Sequence, residues 1–162
     1  MPYSIEDQIN NDFDILLYDG VKLIHIATAG GLLPPKLNES DVDFKQQIRE
    51  VYRYRRIFRF RQNDELVREN TTGLENYFAF FDYMSKRGFY SYDKVYIDNI
   101  EDQTYQLICK PEYNRDINLT TINKEIAPRN KEKYTLISRI NLIETTKEFP
   151  EDFKEFNILN FI

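Results

Sequence analysis

The sequence predicts one α+β domain over residues 1–162: a mainly antiparallel sheet of about five strands with helices packed on one side. Three observations predict it. Strand-like runs come in neighbouring pairs joined by turns, at 13–28 and 90–110, and do not alternate with helices. Two stretches, 40–60 and 72–87, repeat apolar residues at helical spacing. The chain has 162 residues, 41% of them apolar and 30% charged, which is the size and balance of a single core-forming domain.

Taken in order, the elements read α-ββ-α-α-ββ-β-α. Ser4 is a candidate N-cap with Asp7 three residues on, so a short helix runs to about Asn11. Ile15–Tyr18 and Lys22–Ala27 are strand-like, and Asp19-Gly20 between them suits a tight hairpin turn. Gly30-Gly31 and Pro34-Pro35 then break the pattern. The helix over 40–60, capped by Ser40 or Asn38, rests on Phe44, Ile48, Val51 and Tyr52. After Tyr52 the run YRYRRIFRFR alternates, which a strand also fits. The helix over 72–87 has the clearer signals: a Thr72–Glu75 capping box, an apolar stripe ending at Met84, and Gly88 as the left-handed stop. Tyr90–Ile97 and Thr104–Lys110 form a second hairpin around the polar turn 98–102. Residues 111–132 read as loop and Tyr134–Ile143 as one more strand. Phe149, Phe153 and Phe156 give the tail helical spacing.

Composition narrows the function classes. A single cysteine, Cys109, excludes an internal disulfide framework. No basic-then-apolar leader precedes the domain, and the longest apolar run, Tyr77–Phe81, is far short of the roughly 20 residues a membrane helix needs. A cytoplasmic protein without a membrane partner is expected. The N-x-S/T triplets at Asn38, Asn70 and Asn118 then read as chance. Net charge is −5, unevenly spread: residues 45–61 carry +6 and the remainder −11.

The residues that could carry chemistry are few. His25 is the one histidine, and multi-histidine zinc sites are thereby excluded. It could serve a base or a small-ligand site. The ordinary reading is a strand histidine with a local hydrogen bond. Cys109 reads as a buried structural thiol. Gly30-Gly31 lacks the spacing of phosphate loops and reads as a turn. The acids Asp12, Asp14 and Asp19, and later Asp93, Asp98, Glu101 and Asp102, match no cation loop. No metal and no cofactor is expected, and no catalytic residue. The stripe Tyr52–Arg61 could stack and pair with single-stranded nucleic acid. The acidic balance of the domain argues against that. Inward aromatics with arginines paired to the acidic body explain the stripe as well.

Two runs carry a family resemblance. One is Asn11-Asp12-Phe13-Asp14, then Tyr18-Asp19-Gly20, then Ile24-His25-Ile26-Ala27-Thr28-Ala29-Gly30-Gly31 to Pro34. The other is Met84-Ser85-Lys86-Arg87-Gly88-Phe89-Tyr90-Ser91-Tyr92-Asp93. They resemble an uncharacterised group of small bacterial proteins similar to toxin-neutralising immunity proteins, and the match extends over about half the chain. The resemblance implies protein binding without catalysis, and it assigns no residue a role.

The expectation is therefore a protein-binding domain whose partner is a toxin domain. The expected contact residues are Tyr54, Arg55, Arg59, Asp93, Tyr96, Asp98, Glu101 and Asp102. Tyrosine and arginine anchor interfaces, and carboxylates steer a basic partner. Two alternatives stand beside it: a nucleic-acid binder using 52–61, and a small ligand-binding domain around His25.

Overall fold

The computed structural model describes residues 2–53, 56, 58–69, 74–112 and 140–162. Helix α1 (Ile5–Asn10) is capped as the sequence suggests. The Ser4 hydroxyl accepts from the Asp7 N–H, and the Asp7 carboxylate accepts from the Ser4 N–H.

Strands β1 (Asp14–Tyr18) and β2 (Leu23–Ala27) pair antiparallel. Their turn is wider than the expected two-residue turn, and Gly20 alone in it has positive φ, at 92°. Asp19 is the cause. Its Oδ1 accepts from the N–H groups of Val21 and Lys22, so the loop folds around its own carboxylate. Its Oδ2 accepts from the Phe149 N–H and pairs with the buried Lys22 Nζ at 2.9 Å. At the far end of β2, Gly31 makes an ordinary turn bond to Thr28, and the Lys94 side chain fills the space a Cβ would need.

The four-residue α2 (Pro35–Asn38) leads to α3 (Phe44–Val51), which is capped by Asp43 and not by Ser40 or Asn38. The expected helix over 40–60 thus stops at Val51. Beyond it the alternation prevails: β3 (Arg59–Gln62) exposes Arg59 and Arg61 and half-buries Phe60. Helices α4 (Asp64–Glu69) and α5 (Leu74–Ser85) follow. The chain leaves α5 through Gly88, at φ 99°, whose N–H donates to the Ser85 carbonyl. Thr72, the expected cap, lies outside the described residues.

Strands β4 (Phe89–Lys94) and β5 (Thr104–Glu112) form the second hairpin. Opposite Ser91 and Tyr92 the register shifts, which leaves Ile108 as an extra residue. Asn63 ties this bulge down: its N–H donates to the Ile108 carbonyl and its side-chain amide to the Leu107 carbonyl.

The C-terminal expectations need correction. Residues 113–139, which hold most of the expected loop and strand, lie outside the described residues. Ile140–Leu142 turns instead of extending, with Asn141 at φ 59°, and β6 is only Ile143–Glu144. The tail is not a helix. It runs to β7 (Phe156–Asn157) and a 3-10 turn (Ile158–Asn160). Its phenylalanine spacing serves an aromatic cluster: Phe149 and Phe156 stand edge-on to Tyr92, with ring centroids at 5.3 and 5.6 Å.

Among the described residues one mixed sheet of seven strands has the order β3-β5-β4-β2-β1-β6, with β7 also on β5. Four neighbouring pairs are antiparallel, while β2–β4 and β1–β6 are parallel. Val51 of α3 and Met84 of α5 cover one face over Leu16, Leu23 and Phe89. The tail, with Leu37 of α2, closes the other over Ile24, Ile26, Tyr92 and Leu107. The α+β class and the single sheet are as the sequence predicts.

Candidate functional site

The loop joining β4 to β5 carries half of the expected contact residues. Tyr96, Asp98 and Glu101 are exposed, and Asp102 is half-buried. Ile97 and Ile100, which sequence reasoning passed over, are 61% and 37% exposed beside them. An apolar pair inside a polar turn was the signal that could have marked them. The backbone of this tip is held at almost every step. Val95 N–H donates to Thr104, Asn99 to Tyr96 and Asp102 to Asn99. The Asn99 and Asp102 side chains accept from the Glu101 and Thr104 N–H groups. The Ile100 carbonyl accepts from the Leu32 N–H at 2.8 Å and from Lys94 Nζ at 3.1 Å. The Tyr96 hydroxyl donates to Glu155 at 3.3 Å.

The other expected contact residues do not join this tip. Asp93 is 8% exposed and faces α5, where the Tyr77 hydroxyl donates to it at 2.6 Å. Arg59 is exposed on β3 opposite Glu112, eight residues along β5 from Thr104. At about 3.3 Å per residue that is roughly 25 Å from the tip. Tyr54 and Arg55 lie outside the described residues. The described part of the basic stripe is largely engaged within the protein. Arg53 pairs with Glu50 at 3.2 Å and Arg61 with Asp64 at 3.4 Å. Arg56 lies 6.0 Å from the Tyr83 ring, against which Tyr52 packs edge-on.

His25 is fully enclosed beneath Phe80 and Phe81. Its Nε2 meets Asp14 Oδ1 at 2.8 Å, and its Nδ1 meets Ser91 Oγ at 3.1 Å. Three adjacent strands thus align a carboxylate, an imidazole and a hydroxyl. Neither Ser91 nor His25 has exposed surface, so a substrate cannot touch either. Cys109 is equally buried, and burial pushes its thiol up to about 12, far from a reactive thiolate. Among the described residues no group of three or more His, Cys, Asp or Glu side chains could hold a metal ion. No described helix is long and apolar enough to cross a membrane.

Asp93 has a testable consequence. Burial pushes its carboxyl up to about 6, against the pull of hydrogen bonds from Tyr77 and the Lys94 N–H. A carboxyl raised in the fold stabilises the fold when protonated. That contribution is complete below the ordinary 3.8 and is lost as pH rises through about 6. Asp93→Asn should therefore gain on the wild type as pH rises, by up to about 3 kcal/mol at pH ~8. Urea midpoints of both proteins at pH ~4 and ~8 measure it.

Compared with known proteins, the chain matches no family model, no curated protein and no solved structure.

Proposed function

We propose that this chain is a non-catalytic binding protein that neutralises a basic toxin domain by forming a tight one-to-one complex, in the manner of bacterial immunity proteins. On this reading it works in the cytoplasm and docks through the β4–β5 tip. One observation carries the reading: Tyr96, Ile97 and Ile100 stand exposed among Asp98, Glu101, Asp102 and Glu155, on a backbone already held by hydrogen bonds. Apolar side chains on a fixed loop lose little conformational freedom when a partner covers them. The aromatic and aliphatic centre supplies affinity, and the acids speed the approach of a positively charged surface. The net charge of −5 acts in the same direction at longer range.

The test takes the product of the neighbouring gene as partner. A one-to-one complex is expected, and cells carrying both genes should survive. Tyr96→Ala and Ile97→Asp should each weaken the complex by about tenfold or more. Both side chains are exposed, so the urea midpoint should stay at the wild-type value. Raising salt should slow association more than it speeds dissociation. Absence of both complex and protection would refute the proposal.

A further inference from the structure

A second surface feature lies on the opposite side of β2 from the tip's strands. The lead-in to β1 and one face of α3 enclose a cleft of about 280 Å³. Asp12 and Asp14 line one wall. Lys45 and Arg49, one helical turn apart, line the other, where the half-buried Ile48 adds an apolar surface above the buried Phe44.

Charges of opposite sign face each other here without closing the gap. Neither aspartate is ion-paired with Lys45 or Arg49. Each carboxylate is instead anchored from its own side. Asp12 accepts from the Ala29 N–H at 2.7 Å. Asp14 commits Oδ1 to His25 and remains 31% exposed. The buried His25–Ser91 pair behind Asp14 therefore fixes where that carboxylate points. Among the described residues Lys45 and Arg49 have no carboxylate partner.

From this arrangement we infer that the cleft is a binding site for a free α-amino acid with an apolar side chain. The ammonium group sits at Asp14 and Asp12, the carboxylate at Arg49 and Lys45, and the side chain against the half-buried Ile48. Each end of the zwitterion meets a side chain of the opposite charge type. The size agrees: the cleft is near the lower end of ligand pockets, roughly 300–1,000 Å³, so it takes a molecule of amino-acid dimensions. This site is separate from the β4–β5 tip, so its test does not depend on the proposed toxin partner.

The experiment is a titration of the full chain with L-leucine and L-phenylalanine, followed by calorimetry and by backbone amide shifts. N-acetyl-leucine, which lacks the ammonium, and leucinamide, which lacks the carboxylate, are the controls. Saturable binding of a zwitterion at or below about 1 mM is expected, with both controls weaker by about tenfold or more. Amide shifts should concentrate at 11–14 and 44–49. Arg49→Glu, an exposed change whose folding is checked by its urea midpoint, should lose binding by at least about tenfold. Controls that bind as well as leucine would overturn the inference. So would no saturation by about 10 mM, or unaltered binding by a folded Arg49→Glu protein.

Discussion

Replacing His25 with alanine should lower the unfolding free energy by about 4 kcal/mol, among the larger effects a single core change produces. Three losses combine. A cavity opens under Phe80 and Phe81, which pack on the ring at centroid distances of 5.4 and 5.9 Å. The buried Ser91 hydroxyl loses its partner. The Asp14 carboxylate loses the group that holds it at 2.8 Å. His25→Leu restores most of the volume and none of the hydrogen bonds, so it should recover only part of the loss. Urea unfolding of the three proteins separates packing from polar pairing. A near-neutral His25→Ala would mean that the ring is not held as described and would return the histidine to the list of candidate ligand contacts.

The second large effect is expected at Gln47. It is 1% exposed, and its side chain stands in for a missing strand. Its carbonyl accepts from the Leu16 N–H at 2.9 Å, while its amide donates to the Leu16 carbonyl at 3.0 Å and the Asn141 carbonyl at 2.9 Å. Strand β1 pairs with β6 only from Leu17 onward, so at Leu16 the outer edge of the sheet would otherwise be buried and unpaired. Methionine has nearly the same shape and neither polar group. Gln47→Met should therefore cost about 3 kcal/mol, since an orphaned buried backbone group costs about 1–3 kcal/mol. Gln47→Glu should cost a similar amount, because it keeps the acceptor, loses both donated bonds and buries a charge. Urea midpoints give both values, and a loss below about 0.5 kcal/mol for Gln47→Met would contradict the account.

His25 was legible as a strand histidine with a hydrogen bond, whereas nothing in the sequence announces the role of Gln47. The β1–β2 hairpin was legible because its apolar residues and turn residues are neighbours in the chain. The exit from α5 was legible for the same reason, since Gly88 alone dictates it. The helix over 40–60 misled because Phe44, Ile48 and Val51 do form one helical face, and nothing local says where that face ends. Its end is set by β5, whose edge at Cys109–Glu112 recruits 59–62 as a strand. The tail misled in a related way. Phe149, Phe153 and Phe156 are spaced like a helix stripe, yet they answer to Tyr92 and to the open face of the sheet. Gln47, acting as a side-chain strand, depends on a contact with a residue 31 positions away, and that distance hides it from periodicity.

The candidate surface was legible in the same uneven way. Asp98, Glu101 and Asp102 lie within the turn the sequence marks at 98–102, and Tyr96, read as strand, falls in the same loop because β4 ends early. Ile97 was read as the end of a strand, although β4 stops at Lys94. Asp93 is itself a residue of β4, paired with Ala27 and Gln106, and strand parity turns it toward α5 and away from solvent. Arg59 was assigned to the same surface from residue type alone. The order of strands separates it from the tip, and strand order is a long-range property.

The most direct measurement is amide hydrogen exchange on the chain with and without its toxin partner. The account predicts added protection at Tyr96–Gln103 and at Glu155, with the β3 edge at Arg59–Gln62 exchanging as in the free protein. A complex that leaves the β4–β5 loop unprotected while slowing exchange at Arg59–Gln62 would contradict it.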